Sequence, residues 1–196
     1  MRASLVLTIV VGLAACRSGT TGPTSLDCAG PYPDQASSLY VLPWPIGLAF
    51  VVDQGNCGAG SHGAGTLVEY AYDILMPIGT PVVASRAGRV LLVESRYPDG
   101  TRRAGEENYV NILHDDGTIA GYVHLTTGGV LVGVGGRVER GHVIGLSGDS
   151  GSSSQPHLHF HVQRCDGCAT MPVTFLNTSP HPRGLRSGRS YVAEPY

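Results

Sequence analysis

Apolar and polar positions alternate over short runs along most of this chain, and no window carries a convincing helical period. The pattern predicts strands over 67–75, 81–84, 88–95, 109–114, 119–125, 137–138, 143–147 and 158–163. Val, Ile, Tyr and Leu fill these runs, Gly, Pro and Asp separate them, and Asp115-Asp116-Gly117 reads as a hairpin turn. The expected fold is therefore mainly β, a single domain over 39–176 with an antiparallel β-sheet core of short strands. Upstream, residues 39–52 form an apolar stretch interrupted by Pro43 and Pro45, and residues 54–65 form a glycine-heavy loop that carries His62. Gly, Ser, Thr and Pro make 17–38 a flexible linker, and from 177 to 196 prolines, glycines and arginines replace the strand pattern, as in a loosely attached tail.

Length and composition narrow the picture. At 196 residues, 42% of them apolar and 14% charged, the chain can bury one real core. A formal charge of -2 gives no global basic field, which argues against nucleic acid as a partner. Arg2 precedes an apolar run over 5–15 that ends at Cys16 and is about half the roughly 20 residues a spanning helix needs. That is an export signal over 1–16. Leu13-Ala14-Ala15-Cys16 resembles a bacterial lipobox, which implies cleavage before Cys16 and a lipid on it that anchors the protein to the bacterial membrane; an ordinary cleaved signal would release a soluble product. Export places Cys28, Cys57, Cys165 and Cys168 in an oxidising compartment. Cys165 with Cys168, and Cys28 with Cys57, is the favoured set among the three possible pairings; a second C-x-x-C pair that would suggest a metal knuckle is missing.

The strongest chemical signal is Gln155-Pro156-His157-Leu158-His159-Phe160-His161-Val162, where histidines alternate with apolar residues at the period of a strand. Three imidazoles share one face while Leu158, Phe160 and Val162 anchor the strand from the other. Neutral imidazole is a good zinc ligand, and a catalytic zinc site takes three protein ligands with an open position. H-x-H alone is a weak signal; its context is what raises it.

Over residues 61–163 that context resembles the lysostaphin and LytM zinc endopeptidases. The likeness is carried by Tyr72-Asp73-Ile74 with Pro77-Ile78-Gly79-Thr80-Pro81-Val82-Val83-Ala84, by Tyr122-Val123-His124-Leu125, and by Gly141-His142-Val143-Ile144-Gly145 leading into Pro156-His157-Leu158-His159-Phe160. The resemblance implies the family's duplicated hybrid motif fold, one Zn2+ per chain, Asp73 and His159 as metal ligands, and His124 and His157 as catalytic residues on the open side. It implies peptidoglycan peptide as substrate, for a monomer held in the cell envelope. The remaining ligand departs from the family pattern, which places a histidine four residues before the aspartate, where this chain has Glu69. Fully extended, Glu69 and Asp73 would lie about 13 Å apart, whereas His62 sits in a glycine-flanked loop able to fold back, so the expected metal set is His62, Asp73 and His159. His161 is either a hydrogen-bond partner of a ligand or a satisfied surface residue. His114, His142 and His181 read as exposed, and Tyr109 and Asn111 as candidates for the groove.

No glutamate base of the H-E-x-x-H kind is present, which leaves the histidines to handle protons. A relative that keeps the fold but only binds cell wall or activates an amidase is the main rival, sustained by the irregular first ligand. A serine or cysteine hydrolase lacks a G-x-S-x-G elbow, and a histidine-phosphorylated carrier would lack its cytoplasmic phosphoryl donor.

Overall fold

Strands β1 (Ala49–Gln54), β2 (Tyr72–Leu75), β3 (Pro81–Val83), β4 (Gly88–Glu94), β5 (Tyr109–Leu113), β6 (Ile119–Val123), β7 (Leu125–Val130), β8 (Arg137–Val138), β9 (Val143–Ser147), β10 (His157–Gln163) and β11 (Ser190–Val192) carry the architecture. A single 3-10 turn at Gln35–Ser37 is the other regular element among the described residues, and no helix there is long and apolar enough to cross a membrane. The structure is a computed structural model that describes residues 30–58 and 60–196. The expected signal 1–16 with Cys16, the linker up to residue 29, and Cys28 lie outside the described residues.

Eight strands form one antiparallel sheet in the order β11-β1-β2-β10-β6-β5-β4-β8, and β3-β9-β7 form a second. Alternation along the strands decides which side faces in. Tyr72 and Ile74 on β2, Tyr122 on β6, and Leu158, Phe160 and Val162 on β10 are buried on one face, where they meet Val82, Leu125 and Ile144 of the small sheet and Trp44 and Phe175 from the flanking segments. Fixing these apolar positions inward leaves the residues between them no choice but the opposite face, because a strand's side chains alternate. Asp73, His157, His159 and His161 are placed there by this packing.

Several expectations change. The run over 67–75 begins as turns, and β2 starts only at Tyr72, because the Ala71 amide bonds back to the Val68 carbonyl (2.9 Å) and the Tyr70 amide is taken by the Thr170 hydroxyl (2.9 Å). The run over 119–125 splits at His124, whose φ of 65° bends the chain out of the large sheet and into the small one. Residues 177–196, read as a loose tail, are packed: β11 pairs with β1, and Leu185, Tyr191 and Ala193 are buried. Asn177 ties both ends of this segment to the core, accepting the Leu42 amide (2.8 Å) and donating to the Glu194 carbonyl (3.2 Å). The few apolar residues of the segment are spaced among prolines and arginines, and what holds them is the exposed edge of β1, a partner the local pattern does not reveal. Residues 30–38 of the expected linker also contribute a docked portion, with Ser38 buried and bonded to the Thr174 carbonyl (2.5 Å).

Cys165 and Cys168 form a disulfide across the Asp166-Gly167 turn. Cys57 is disulfide-bonded as well, and its expected partner Cys28 is outside the described residues. His142 is exposed, as expected, whereas His114 and His181 are buried. Each of the two is retained by a backbone contact: His114 Nδ1 lies 2.9 Å from the Ala87 carbonyl, and His181 Nε2 accepts the Phe175 amide at 2.9 Å.

Candidate active site

Strand register builds the centre of the site. Gln54 on β1 pairs with Asp73 on β2, and Asp73 pairs with His159 on β10, so the three stand in one row across adjacent strands. Directly opposed side chains on one sheet face are about 5 Å apart at Cβ, close enough for direct bonding. Asp73 Oδ1 lies 2.8 Å from His159 Nδ1, and Asp73 Oδ2 accepts the Gln54 amide at 2.9 Å. The loop between β1 and β2 folds back over this row and brings His62 Nε2 to 3.4 Å from the same Asp73 oxygen. Donor atoms of His62, Asp73 and His159 all fall within 4.8 Å of one another.

The Gln54 side chain ties down the loop that carries His62. Gly60 lies against the end of the Gln54 side chain, which would have to shift to admit a Cβ there, and Gln54 also donates to the Ser61 hydroxyl (2.8 Å). Glu69, the competing candidate ligand, is turned away: its carboxylate accepts the Gly65 amide at 2.8 Å.

The donor set fits a divalent cation such as zinc. His62 is buried, and neither ring nitrogen makes a hydrogen bond of good geometry among the described residues, with only looser approaches to Asp73 and the Gly55 backbone, a costly state unless another ligand satisfies it. Burial lowers its pKa to about 4 against the opposing pull of Asp73, so at neutral pH it is a neutral imidazole. Burial pushes the Asp73 carboxyl up, but the His159 hydrogen bond and the surrounding imidazoles prevail and hold it below the ordinary carboxylate range. Two imidazoles and one carboxylate make a common catalytic zinc set.

His124 and His157 form a second pair beside this cluster, with ring centres 4.6 Å apart. His157 Nε2 stands 3.6 Å from Asp73 Oδ1. In both rings Nδ1 faces a carbonyl, Ser150 at 2.7 Å for His124 and Gln155 at 2.8 Å for His157, which fixes the proton on Nδ1 and leaves Nε2 as an acceptor. Burial, reinforced by the neighbouring His157, lowers the pKa of His124 to about 4. The left-handed backbone of His124 is a conformation that non-glycine residues adopt rarely and that concentrates at functional sites.

His161 bonds the His62–Asp73–His159 cluster from behind, its Nδ1 3.2 Å from His159 Nε2. It packs onto Gly121, where a Cβ would lie 2.5 Å from the imidazole. Tyr109 and Asn111 are not among the described residues lining the cleft, and Asn111 turns instead toward Asp166 (3.5 Å). Asp73, His124, His157 and His159 open into a cleft of about 820 Å³, whose other walls come from Gln54, Ser61 and Arg102 among others.

Several contributors carry no local sequence signal. Gln54 matters because of its register with Asp73. Ser153 matters because its hydroxyl joins His157 Nδ1 (3.2 Å) to Asp149 Oδ1 (2.7 Å). Only the fold brings these pairs together.

Comparison with known proteins bears on the family and the fold. Residues 68–172 match the family described as Peptidase family M23, a span that includes Asp73, His124, His157 and His159 and begins after His62. A protein of Vibrio cholerae serotype O1 named Peptidoglycan DD-endopeptidase ShyA is 40% identical over 90 residues, which are 46% of this chain and 19% of that protein. Glycyl-glycine endopeptidase ALE-1 of Staphylococcus capitis is 34% identical over 141 residues, 70% of this chain and 32% of that one. The structure of lysostaphin from Staphylococcus simulans aligns with a TM-score of 0.52 and 28% identity over 70% of this chain and 52% of that chain. The chain thus spans at most about a third of the length of these curated relatives.

Proposed function

The chain belongs to peptidase family M23, and we propose that it is an exported, zinc-dependent endopeptidase that hydrolyses peptide bonds in the stem or cross-bridge peptides of peptidoglycan. The observation that carries this reading is the convergence of His62, Asp73 and His159 beside the His124–His157 pair in one open cleft. The printed names of the relatives, a peptidoglycan DD-endopeptidase and a glycyl-glycine endopeptidase, support the substrate class without choosing between bonds. The proposal includes the lipid on Cys16 and a place in the cell envelope, with one metal per chain.

In this mechanism His62, Asp73 and His159 would hold the ion. Zinc bound there would polarise the scissile carbonyl and acidify an attacking water. His157 and His124 present acceptor Nε2 atoms toward the same space, so one of them takes the water's proton at Nε2. The ring that gains it becomes a donor and returns it to the departing amine nitrogen. Ser150 and Gln155 carbonyls keep the rings from turning between these steps, and Ser153 with Asp149 fixes His157 from the far side.

The test is elemental analysis of the purified full chain for zinc, together with release of soluble fragments from purified cell wall. About one zinc per chain and wall digestion abolished by a chelator and restored by zinc are expected. A metal-free protein that binds wall without cutting it would leave a binding or amidase-activating relative on the same fold.

A further inference from the structure

Two adjacent arginines on the loop between β4 and β5 behave differently. Arg103 is well exposed and pairs loosely with Glu106 (3.6 Å). Arg102 has a left-handed backbone (φ 58°) that L side chains rarely adopt, and its guanidinium turns inward to line the cleft. There Nη1 meets the buried Asp149 carboxylate at 2.7 Å and also donates to the Ser153 carbonyl. Among the described residues that line the cleft, Arg102 is the one Lys or Arg.

The anchoring is one-sided. Asp149 and Ser153 occupy a single nitrogen, and Arg102 remains 48% exposed while its partner Asp149 is 8% exposed. A guanidinium has five donors in a rigid fork, so the remaining edge is free to meet a second planar anion. Ser153 is also the residue bonded to His157, which puts Arg102 on the same wall as the proton-handling pair. The other formal charges in the cleft, Asp53 and Asp73, are carboxylates and would repel an anion placed beside them.

We propose that Arg102 is a specificity-determining residue that binds a free carboxylate of the substrate peptide close to the scissile bond. The inference rests on the peptidase reading and narrows it: substrates are peptides bearing a terminal or side-chain carboxylate within reach of the cleft, rather than the uncharged interior of a glycine bridge. A guanidinium already ordered by Asp149 loses little freedom when the carboxylate arrives, which favours a bidentate contact.

The experiment compares paired synthetic stem peptides, identical except for a free carboxylate or its carboxamide, on the zinc-loaded full chain and on Arg102→Gln and Arg102→Lys. Wild type is expected to prefer the carboxylate form by about tenfold or more in kcat/KM, the worth of one charged hydrogen bond. In Arg102→Gln that ratio falls toward one, and Arg102→Lys retains part of it. A wild-type ratio near one overturns the proposal whether or not the variants fold, and leaves the peptidase intact. A ratio that survives in Arg102→Gln also overturns it, because the carboxylate is then held by the metal centre; equal loss on both peptides marks a merely structural salt bridge. Failure of wild type to cut either peptide or cell wall removes the peptidase reading and this inference with it.

Discussion

At the scale of single residues, the proposed first metal ligand rests on where two side chains end. His62 reaches 3.4 Å from Asp73 with neither ring nitrogen in a hydrogen bond of good geometry, whereas Glu69 spends its carboxylate on the Gly65 amide. His62→Ala should therefore lose bound zinc and wall digestion together, and Glu69→Ala should keep near-stoichiometric zinc, as read by elemental mass spectrometry. Retention of zinc by His62→Ala would return the choice to Glu69 or another donor. The sequence made His62 a candidate because Glu69 stands where the family pattern has a histidine and His62, in a glycine-flanked loop, is the nearest histidine upstream. It gave no sign of Gln54, whose amide holds the second oxygen of Asp73.

Among the elements, β6 and β10 set the depth of the site. Gly121 on β6 stands opposite His161 on β10, and the missing side chain is the space that His161 fills. In Gly121→Ala the new Cβ would meet the imidazole at 2.5 Å and push it off His159. Loss of a hydrogen bond behind a metal ligand typically costs about 10- to 100-fold in affinity. Competition with a chromophoric chelator should show that weakening while the overall fold, followed by circular dichroism, persists. The short β11 is the other element with a testable load. Tyr191 is buried, accepts the Arg186 amide at 3.0 Å and closes the edge of β1. Tyr191→Ala should cost about 3–5 kcal/mol, by analogy with other buried aromatic truncations, and lower the urea midpoint accordingly. An unchanged midpoint would mean that 177–196 does behave as a detachable tail.

For the whole molecule, buried histidines far from the cleft tie stability to pH. Burial lowers the pKa of both His114 and His181 against the raising effect of their carbonyl contacts. In the unfolded chain each would take a proton near pH 6.5. Below that value the unfolded state holds more protons than the folded one, so stability is complete above about pH 6.5 and is lost as pH falls. The buried His62 and His124 and the half-buried His161 of the site, whose pKa values burial also lowers, act in the same direction in metal-free protein. Urea midpoints of chelator-treated protein should drop between pH 7.5 and pH 5; a flat profile would show that these rings are solvated rather than packed neutral.

The strand pattern, the H-x-H-x-H face of β10 and the placement of Asp73 within a short strand were legible in the sequence. They follow from side-chain alternation, a local rule that each run obeys by itself. Most bounds of the expected strands agreed to within one or two residues; β1, whose end at Gln54 was read as loop, and β7 were not expected, and the other departures came where a tertiary contact overrode the local pattern: the turns before Tyr72, the left-handed bend at His124, and the docking of β11. Tertiary structure alone decided what meets what. Register across β1, β2 and β10 lined up Gln54, Asp73 and His159, loop closure brought in His62, and the left-handed bend at Arg102 turned one of two neighbouring arginines into the cleft. A row of side chains across three strands joins residues more than 100 positions apart, and its distances are set by backbone hydrogen bonding between strands, which no local pattern encodes.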